Sequence, residues 1–185
     1  MSKSVLSMSI SLDGYIATPD DYLGGADGER LHHWFANVGE TGPAKGLVDA
    51  ENACGAVLTG RRTAELMDHW RGDHDGNPIF VVSHRPPGPA GRYYYPKVHY
   101  VTDIVRAMEQ AKDAAGDRTV EMRGASVAQS ALAAGVIDEI VVHQVPVLLG
   151  RGRRLFDELP AEIELEVVQV IDTPDATHIR YRVNR

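Results

Sequence analysis

Apolar and polar positions along the chain follow two periods, and the period changes from strand to helix several times. Strands are predicted where short apolar or alternating runs end at turn-forming residues, namely at residues 5–10, 53–59, 79–82, 98–101 and 119–122. Helices are predicted where apolar residues recur every three or four positions, namely at residues 29–38, 44–52, 61–70, 104–115 and 125–134. This alternation is the order found in sheets of parallel strands.

The end of the chain changes character, because helical spacing stops there. Residues 139–147 are rich in β-branched types, and two further strands are predicted at 163–171 and 177–183, joined by a turn at 172–175. The sequence therefore predicts an α/β fold: a mixed, largely parallel central sheet with helices on both faces and an antiparallel C-terminal edge. A chain of 185 residues can bury one sizeable core, so residues 1–185 are predicted to form a single domain.

Charge and cysteine content narrow the functional classes. The formal net charge is −7 at pH 7, which disfavours a general attraction to nucleic acid or to an anionic membrane surface. Cys54 is the one cysteine, so an internal disulfide is excluded and a reducing, cytoplasmic location is expected. No apolar run approaches the length of a membrane span. The expected partner is a small molecule, and neither nucleic acid nor a membrane is expected.

Three of the predicted strands end in residues suited to binding an anion. The first loop has a glycine, two arginines and a hydroxyl at a helix start, which are Gly60, Arg61, Arg62 and Thr63. The second follows the strand at 79–82 and consists of Ser83, His84 and Arg85. The third follows the strand at 119–122 and opens a helix with Arg123, Gly124, Ala125, Ser126 and Val127. Helix-start N–H groups attract anions, and arginine binds phosphate oxygens in pairs.

Each loop also has a purely structural interpretation. The two arginines could be solvated residues at a helix start, residues 83–85 could be a polar turn before two prolines, and Gly124 could serve close packing of a helix on its sheet. Ligands of open α/β sheets bind beyond the carboxyl ends of the strands, where all three loops are predicted. Their coincidence indicates a ligand with several phosphates, such as a dinucleotide, although the GxGxxG fingerprint of a Rossmann domain is absent.

These loops and other segments resemble the dihydrofolate reductase-like superfamily, and more specifically the reductase domain of the bifunctional riboflavin-biosynthesis deaminase-reductase. The matching segments are SLDGYIA at residues 11–17, GRRT at 60–63, VSHR at 82–85 and the stretch 124–156. Within that stretch, AGVIDE at 134–139 and PVLLGRG at 146–152 are the most specific pieces. The resemblance spans nearly the whole chain and implies a dihydrofolate reductase-like fold with no deaminase domain.

The resemblance implies an oxidoreductase that transfers a hydride from NADPH to a small pyrimidine- or pterin-like heterocycle. The implied activity is like that of 5-amino-6-(5-phosphoribosylamino)uracil reductase or of dihydrofolate reductase, and the implied assembly is a homodimer. Residues 60–63 and 124–127 would bind the phosphates of the cofactor, and Ser83, His84 and Arg85 would approach its 2′-phosphate. Ile16 and Ala17 would meet the nicotinamide, with the substrate between residues 13–17, 31–35 and 146–156.

Two departures from the family pattern leave alternatives open. Arg123 stands where relatives commonly have glycine, so it could crowd the cofactor or add a positive charge to its site. Dihydrofolate reductases carry a carboxylate on the first helix that helps protonate the substrate, and Leu31 aligns near that position here. Asp13 is a candidate proton donor, although capping of the Gly14 turn is the favoured role. A non-catalytic NADPH- or nucleotide-binding module is therefore the alternative function, and no metal site is predicted.

Overall fold

The computed structural model describes residues 2–157 and 159–184, and its centre is a sheet of eight strands. The strands of this sheet are β1 (Ser4–Ser11), β3 (Ala56–Gly60), β4 (Ile79–Val82), β5 (Val98–Val101), β6 (Val120–Arg123), β7 (Glu139–Val145), β9 (Leu165–Asp172) and β10 (Thr177–Val183). Their spatial order is β5-β4-β3-β6-β1-β7-β10-β9. The first six are parallel, and β10 and β9 are antiparallel to their neighbours.

The remaining elements flank this sheet or cross its carboxyl edge. The helices are α1 (His33–Ala36), α2 (Lys45–Asn52), α3 (Arg61–Leu66), α4 (Pro89–Tyr93), α5 (Ile104–Ala115) and α6 (Ala125–Ala133). A separate two-stranded sheet pairs β2 (Tyr15–Ala17) with β8 (Arg153–Arg154). The predicted α/β class, with a largely parallel sheet and an antiparallel C-terminal edge, is confirmed.

One face of the sheet carries the main core. Alternate strand residues such as Leu6, Leu58 and Met122 are fully buried against the small residues of α5 and α6. Alanines on these helices let them approach the sheet closely, and Asp103 caps α5 by accepting a 2.8 Å hydrogen bond from the N–H of Arg106.

Two predicted helices are shorter in the structure than their spacing indicated. The helix at 29–38 is a 3-10 turn, Arg30–His32, followed by the four-residue α1, and Phe35 lies exposed rather than in the core. The helix at 61–70 ends at Leu66, and residues Asp68–Gly72 then have left-handed backbone angles. Tertiary contacts outweigh helix propensity here, because His69 is buried and forms a 2.8 Å hydrogen bond with the Tyr100 hydroxyl.

The second face of the central strands is polar rather than apolar. Its buried polar residues include Ser7, Glu121, Glu139, His143 and His178. Glu51 of α2 reaches this face, where one carboxylate oxygen accepts from Ser7 Oγ at 2.5 Å and lies 3.0 Å from His143 Nε2. A cavity of about 250 Å³ between α2 and the sheet is lined by Glu51, Glu121 and Glu139 together with Lys3 and Arg180.

Hydrogen-bond donors and acceptors along this face assign the protons. Thr173 Oγ1 donates to the carbonyl of Ala176 at 2.7 Å, so it must accept from His178 Nε2, which lies 3.2 Å away. His178 Nδ1 is then an acceptor, and His143 Nδ1, at 2.8 Å, must donate to it. His143 Nε2 lies 3.0 Å from Glu51 Oε1 and 3.1 Å from Ser7 Oγ. The result is a buried chain of hydrogen-bonded groups from Thr173 through His178 and His143 to Glu51, with the His143 ring stacked on Trp34 at 4.2 Å between ring centroids.

Candidate functional site

The three predicted anion-binding loops meet at one edge of the sheet. β4, β3 and β6 are consecutive and parallel, so their carboxyl ends point the same way. The loop after β3 opens α3, the loop after β4 leads toward α4, and the loop after β6 opens α6. The topology therefore brings together the loops that the sequence separates by some 20 to 60 positions.

Two glycines allow the first and third loops to touch. Gly124 has a φ of 106°, and a Cβ added there would lie 2.6 Å from Thr63 Oγ1. A Cβ added at Gly60 would lie 3.2 Å from Ser126 Oγ. Any larger residue at position 124 would be strained in its backbone and would collide with the start of α3. The close approach places the starts of α3 and α6 side by side.

The amino terminus of α6 offers backbone donors. Its N-cap is Gly124, and no side chain caps the first turn. Ala125 is half-buried and Ser126 exposed, so the first N–H groups and one hydroxyl face the carboxyl edge. Val127 is buried in the main core, so its side chain serves packing, and it can offer a ligand no more than its N–H group.

Arg61 is engaged within the protein. Its Nε donates to Glu65 at 2.7 Å, its Nη1 donates to the carbonyl of Pro86 at 2.8 Å, and its guanidinium lies 5.8 Å from the centroid of the Tyr100 ring. Arg61 therefore ties α3 to the loop after β4.

Arg62 is paired with Asp21, a residue that the sequence interpretation missed. The Asp21 carboxylate accepts from Arg62 and, at 2.8 Å, from Arg153 Nε. The hydrogen bond from Arg62, followed by that from Arg153, lowers the pKa of Asp21, so the carboxylate stays charged. The signal in the sequence was an acidic residue in the turn-rich stretch after β2, but nothing local indicated its partners.

The second loop is open to solvent. Ser83 Oγ donates to the carbonyl of Arg85 at 2.9 Å and accepts from the Arg85 N–H at 3.1 Å, which fixes a tight turn. The side chains of His84 and Arg85 are exposed beyond it. A basic turn with no internal partner for its charged groups, within the part of the chain described, is suited to an external anion.

β2 brings Ile16 and Ala17 over the carboxyl end of β1, where Ile16 packs against the main core. Asp13 holds the preceding turn in place. Its carboxylate accepts from Ser11 Oγ at 2.6 Å and from the N–H groups of Gly150 and Leu149 at 2.7 and 3.1 Å. The bond from Ser11, followed by those from the two N–H groups, lowers the pKa of Asp13. This arrangement favours the structural role over proton donation.

Comparison with known proteins assigns the family. The model of the RibD C-terminal domain matches residues 3–179. The chain belongs to the RibD C-terminal domain family.

Two relatives that match nearly the whole of this chain are each about a quarter identical to it. The uncharacterised protein YwjB of Bacillus subtilis (strain 168) is 26% identical, with 97% of each chain covered. The crystal structure of a putative riboflavin biosynthesis protein from Shewanella sp. PV-4 is also 26% identical, covers 99% of each chain and has a TM-score of 0.75. A pyrimidine reductase-like protein from Corynebacterium diphtheriae shares the fold at 14% identity, with a TM-score of 0.64 and coverage of 100% of this chain and 92% of that one.

Family and fold together identify the chain as a reductase-like domain of the RibD type, as its sequence motifs predicted. Within residues 2–157 and 159–184, no helix is long and apolar enough to cross a membrane. In the same residues, no group of three or more His, Cys, Asp or Glu side chains is arranged to hold a metal ion.

Arg123 is turned away from the phosphate side of this site. Val120 and Met122 of β6 face α5 and α6, so Glu121 and Arg123 face the polar side of the sheet. Arg123 Nε and Nη2 both donate to one oxygen of Glu121, at 2.9 and 2.7 Å. Burial raises the pKa of Glu121 to about 7, although the charge of Arg123 opposes the shift.

A cleft of about 420 Å³ lies apart from these loops. It is lined by residues of the segments 18–25 and 147–151, including Tyr22, Leu148 and Arg151. None of the residues of the three anion loops lines it. We place the candidate cofactor site at the strand ends instead, because the glycines, helix start and basic side chains converge there.

Proposed function

We propose that this protein is an NADPH-dependent reductase of a small pyrimidine- or pterin-like heterocycle. The observation that carries the proposal is the meeting of three anion-suited loops at adjacent strand ends, beside β2. The lack of a side chain at positions 60 and 124 would let the N–H groups at the start of α6 approach a bound pyrophosphate, and membership of the RibD C-terminal domain family supports this use.

Different residues of this chain would bind different parts of the cofactor. Gly60, Thr63, Gly124, Ala125 and Ser126 would hold the pyrophosphate, and the exposed turn at 83–85 would hold the 2′-phosphate. Ile16 and Ala17 would orient the nicotinamide, which supplies the hydride when the cofactor is bound. The protein contributes position rather than a reactive side chain, and positioning alone accounts for much of the rate in such transfers.

Arg85→Ala tests the proposal, with Arg92→Ala on the neighbouring helix α4 as a matched control. Both arginines are exposed, but Arg92 lies outside the anion loops. We expect calorimetry to show NADPH binding weakened about tenfold by Arg85→Ala, NADH binding unchanged, and no effect of Arg92→Ala. Wild-type protein that binds neither NADPH nor NADH would refute the proposal.

A non-catalytic NADPH-binding module remains the second candidate, because Asp13 is an ionised structural group rather than a proton donor. The two functions separate in a turnover assay with pterin, pyrimidine and quinone substrates. Loss of the NADPH absorbance band with any of them supports the reductase. Tight NADPH binding without oxidation across the whole panel supports the module.

We also propose that the protein forms a homodimer through β9. This strand lies at the edge of the sheet, and its Leu165, Val167, Val168 and Val170 side chains are 40–58% exposed. Within the described residues, β9 pairs with β10 along one edge only, and an apolar edge strand is a liability for a monomer. Light scattering is expected to give twice the mass of the chain for the wild type and the monomer mass for Val168→Asp, and a monomeric wild type would refute this assembly.

A further inference from the structure

We infer that Arg123 is a specificity residue for the substrate, selecting an acidic planar molecule that presents two adjacent acceptor oxygens or an oxygen beside a ring nitrogen. The inference rests on the proposed reductase function and adds a substrate class to it. It begins from the side of the sheet on which the guanidinium lies.

The neighbours of Arg123 belong to the face opposite α5 and α6. The carboxylate it holds, Glu121, has a side chain only 3% exposed, whereas 33% of the Arg123 side chain is exposed. Its positive charge contributes to the lowered pKa of His74, after burial of that ring, and contributes to the lowered pKa of Glu51. The guanidinium of Arg123 is therefore held on one edge by a buried carboxyl group and is reachable from solvent, because a third of its side chain is exposed.

Hydrogen bonding leaves one edge of the guanidinium available. Nε and Nη2 both donate to Glu121 Oε1. Among residues 2–157 and 159–184, no acceptor is found for the Nη1 donors. On that edge of the planar group, one N–H of Nη1 and the second N–H of Nη2 point in parallel directions. Such an edge fits a carboxylate, or the lactam edge of an ionised heterocycle, in a two-pronged hydrogen bond.

Glu121 is the positioning residue for this edge. A buried carboxylate holds the guanidinium from below and fixes its plane, so little side-chain freedom is lost when a ligand binds from above. Movement of Arg123 toward the phosphates of the cofactor would break both of its hydrogen bonds to the buried Glu121 carboxyl group. The geometry thus favours the substrate side over the phosphate side for Arg123.

The test compares ligands that differ only in an acidic group. The probes are orotate against uracil, and pterin-6-carboxylate against pterin, titrated by calorimetry with and without NADPH. We expect the wild type to bind the carboxylated member of at least one pair about tenfold more tightly than the neutral member. Arg123→Gln should reduce that ratio to about one and leave the dissociation constant of NADPH within about twofold.

Two further variants complete the experiment. Glu121→Gln should lower the preference for the acidic ligand without abolishing it, because the guanidinium remains but is no longer fixed. Arg106→Gln, on the exposed side of α5, is the matched control and should change neither quantity. Circular dichroism and the thermal midpoint confirm that each variant is folded.

Each outcome decides between assignments. A wild-type ratio near one in both pairs overturns the inference, and so does a ratio that Arg123→Gln leaves intact. If Arg123→Gln weakens NADPH binding and leaves the ratio of acidic to neutral ligand affinity unchanged, Arg123 belongs to the cofactor site instead. If the wild type discriminates acidic ligands but binds no NADPH, the proposed function fails while the role of Arg123 stands.

Discussion

Glu51 is the residue on which the buried polar face depends most. Its carboxylate accepts a hydrogen bond from Ser7 Oγ and lies 3.0 Å from His143 Nε2. The Glu51 side chain is 12% exposed and that of His143 is 2% exposed, so solvent screens the pair poorly. The hydrogen bond from His143 and its positive charge lower the pKa of Glu51 against the opposing effect of burial.

Glu51→Gln should therefore destabilise the fold substantially. The change removes the charged acceptor of Ser7 and of His143, and each hydrogen bond to a buried charged group contributes about 1.5–3 kcal/mol. We expect about 3 kcal/mol, since Glu51 also borders the 250 Å³ cavity, where water can replace part of the lost hydrogen bonding. For a domain of this size the thermal midpoint should fall by about 6–12 °C.

Asp49→Asn is the matched control, because it removes a carboxylate from the same helix. Asp49 is 57% exposed and pairs with Lys45 at 2.6 Å on the surface, so its loss should cost at most about 0.5 kcal/mol. Urea denaturation followed by circular dichroism at pH 7.5 measures both variants. Equal unfolding free energies for Glu51→Gln and Asp49→Asn would show that the buried contacts of the Glu51 carboxylate contribute no net stability.

Three other perturbations follow from the structure. Asp21→Asn should strengthen NADPH binding a few-fold by freeing Arg62, and calorimetry that shows weaker binding would mean that their bridge shapes the site instead. Gly124→Ala should cost about 1–3 kcal/mol in urea denaturation through its backbone strain, and lose NADPH binding through the collision with Thr63. His178 has a pKa lowered to about 4, by burial first and then by the charge of its histidine neighbour. The unfolded chain takes up this proton near pH 6.5, so folding stability should fall by up to about 3 kcal/mol between pH 6.5 and 4, a slope that His178→Gln should remove.

Patterns of a few residues were enough to predict the architecture. The alternation of residues 5–10 and the largely apolar runs at 79–82 and 119–122 predict strands, because the side chains that face the main core must be apolar whatever lies across from them. The glycine-and-arginine loops at strand ends followed from the same local chemistry.

Long-range contacts decided what local patterns could not. The left-handed turn at 68–72 forms because His69 is buried against Tyr100, which lies 31 positions away. Asp21 reaches Arg153 across 132 positions, and no spacing rule connects an exposed turn with a distant β-ribbon.

The sequence by itself determined the sheet, its core face and the three anion-suited loops, because each depends on residue types within one element. The pairing of Arg123 with Glu121, two residues earlier on β6, is also local, because strand alternation turns both side chains to the same face. The tertiary structure alone decided which polar groups of separate elements meet. Glu51 of α2 reaches His143 of β7 across 92 positions, and contacts between separate elements exist only once the chain has folded.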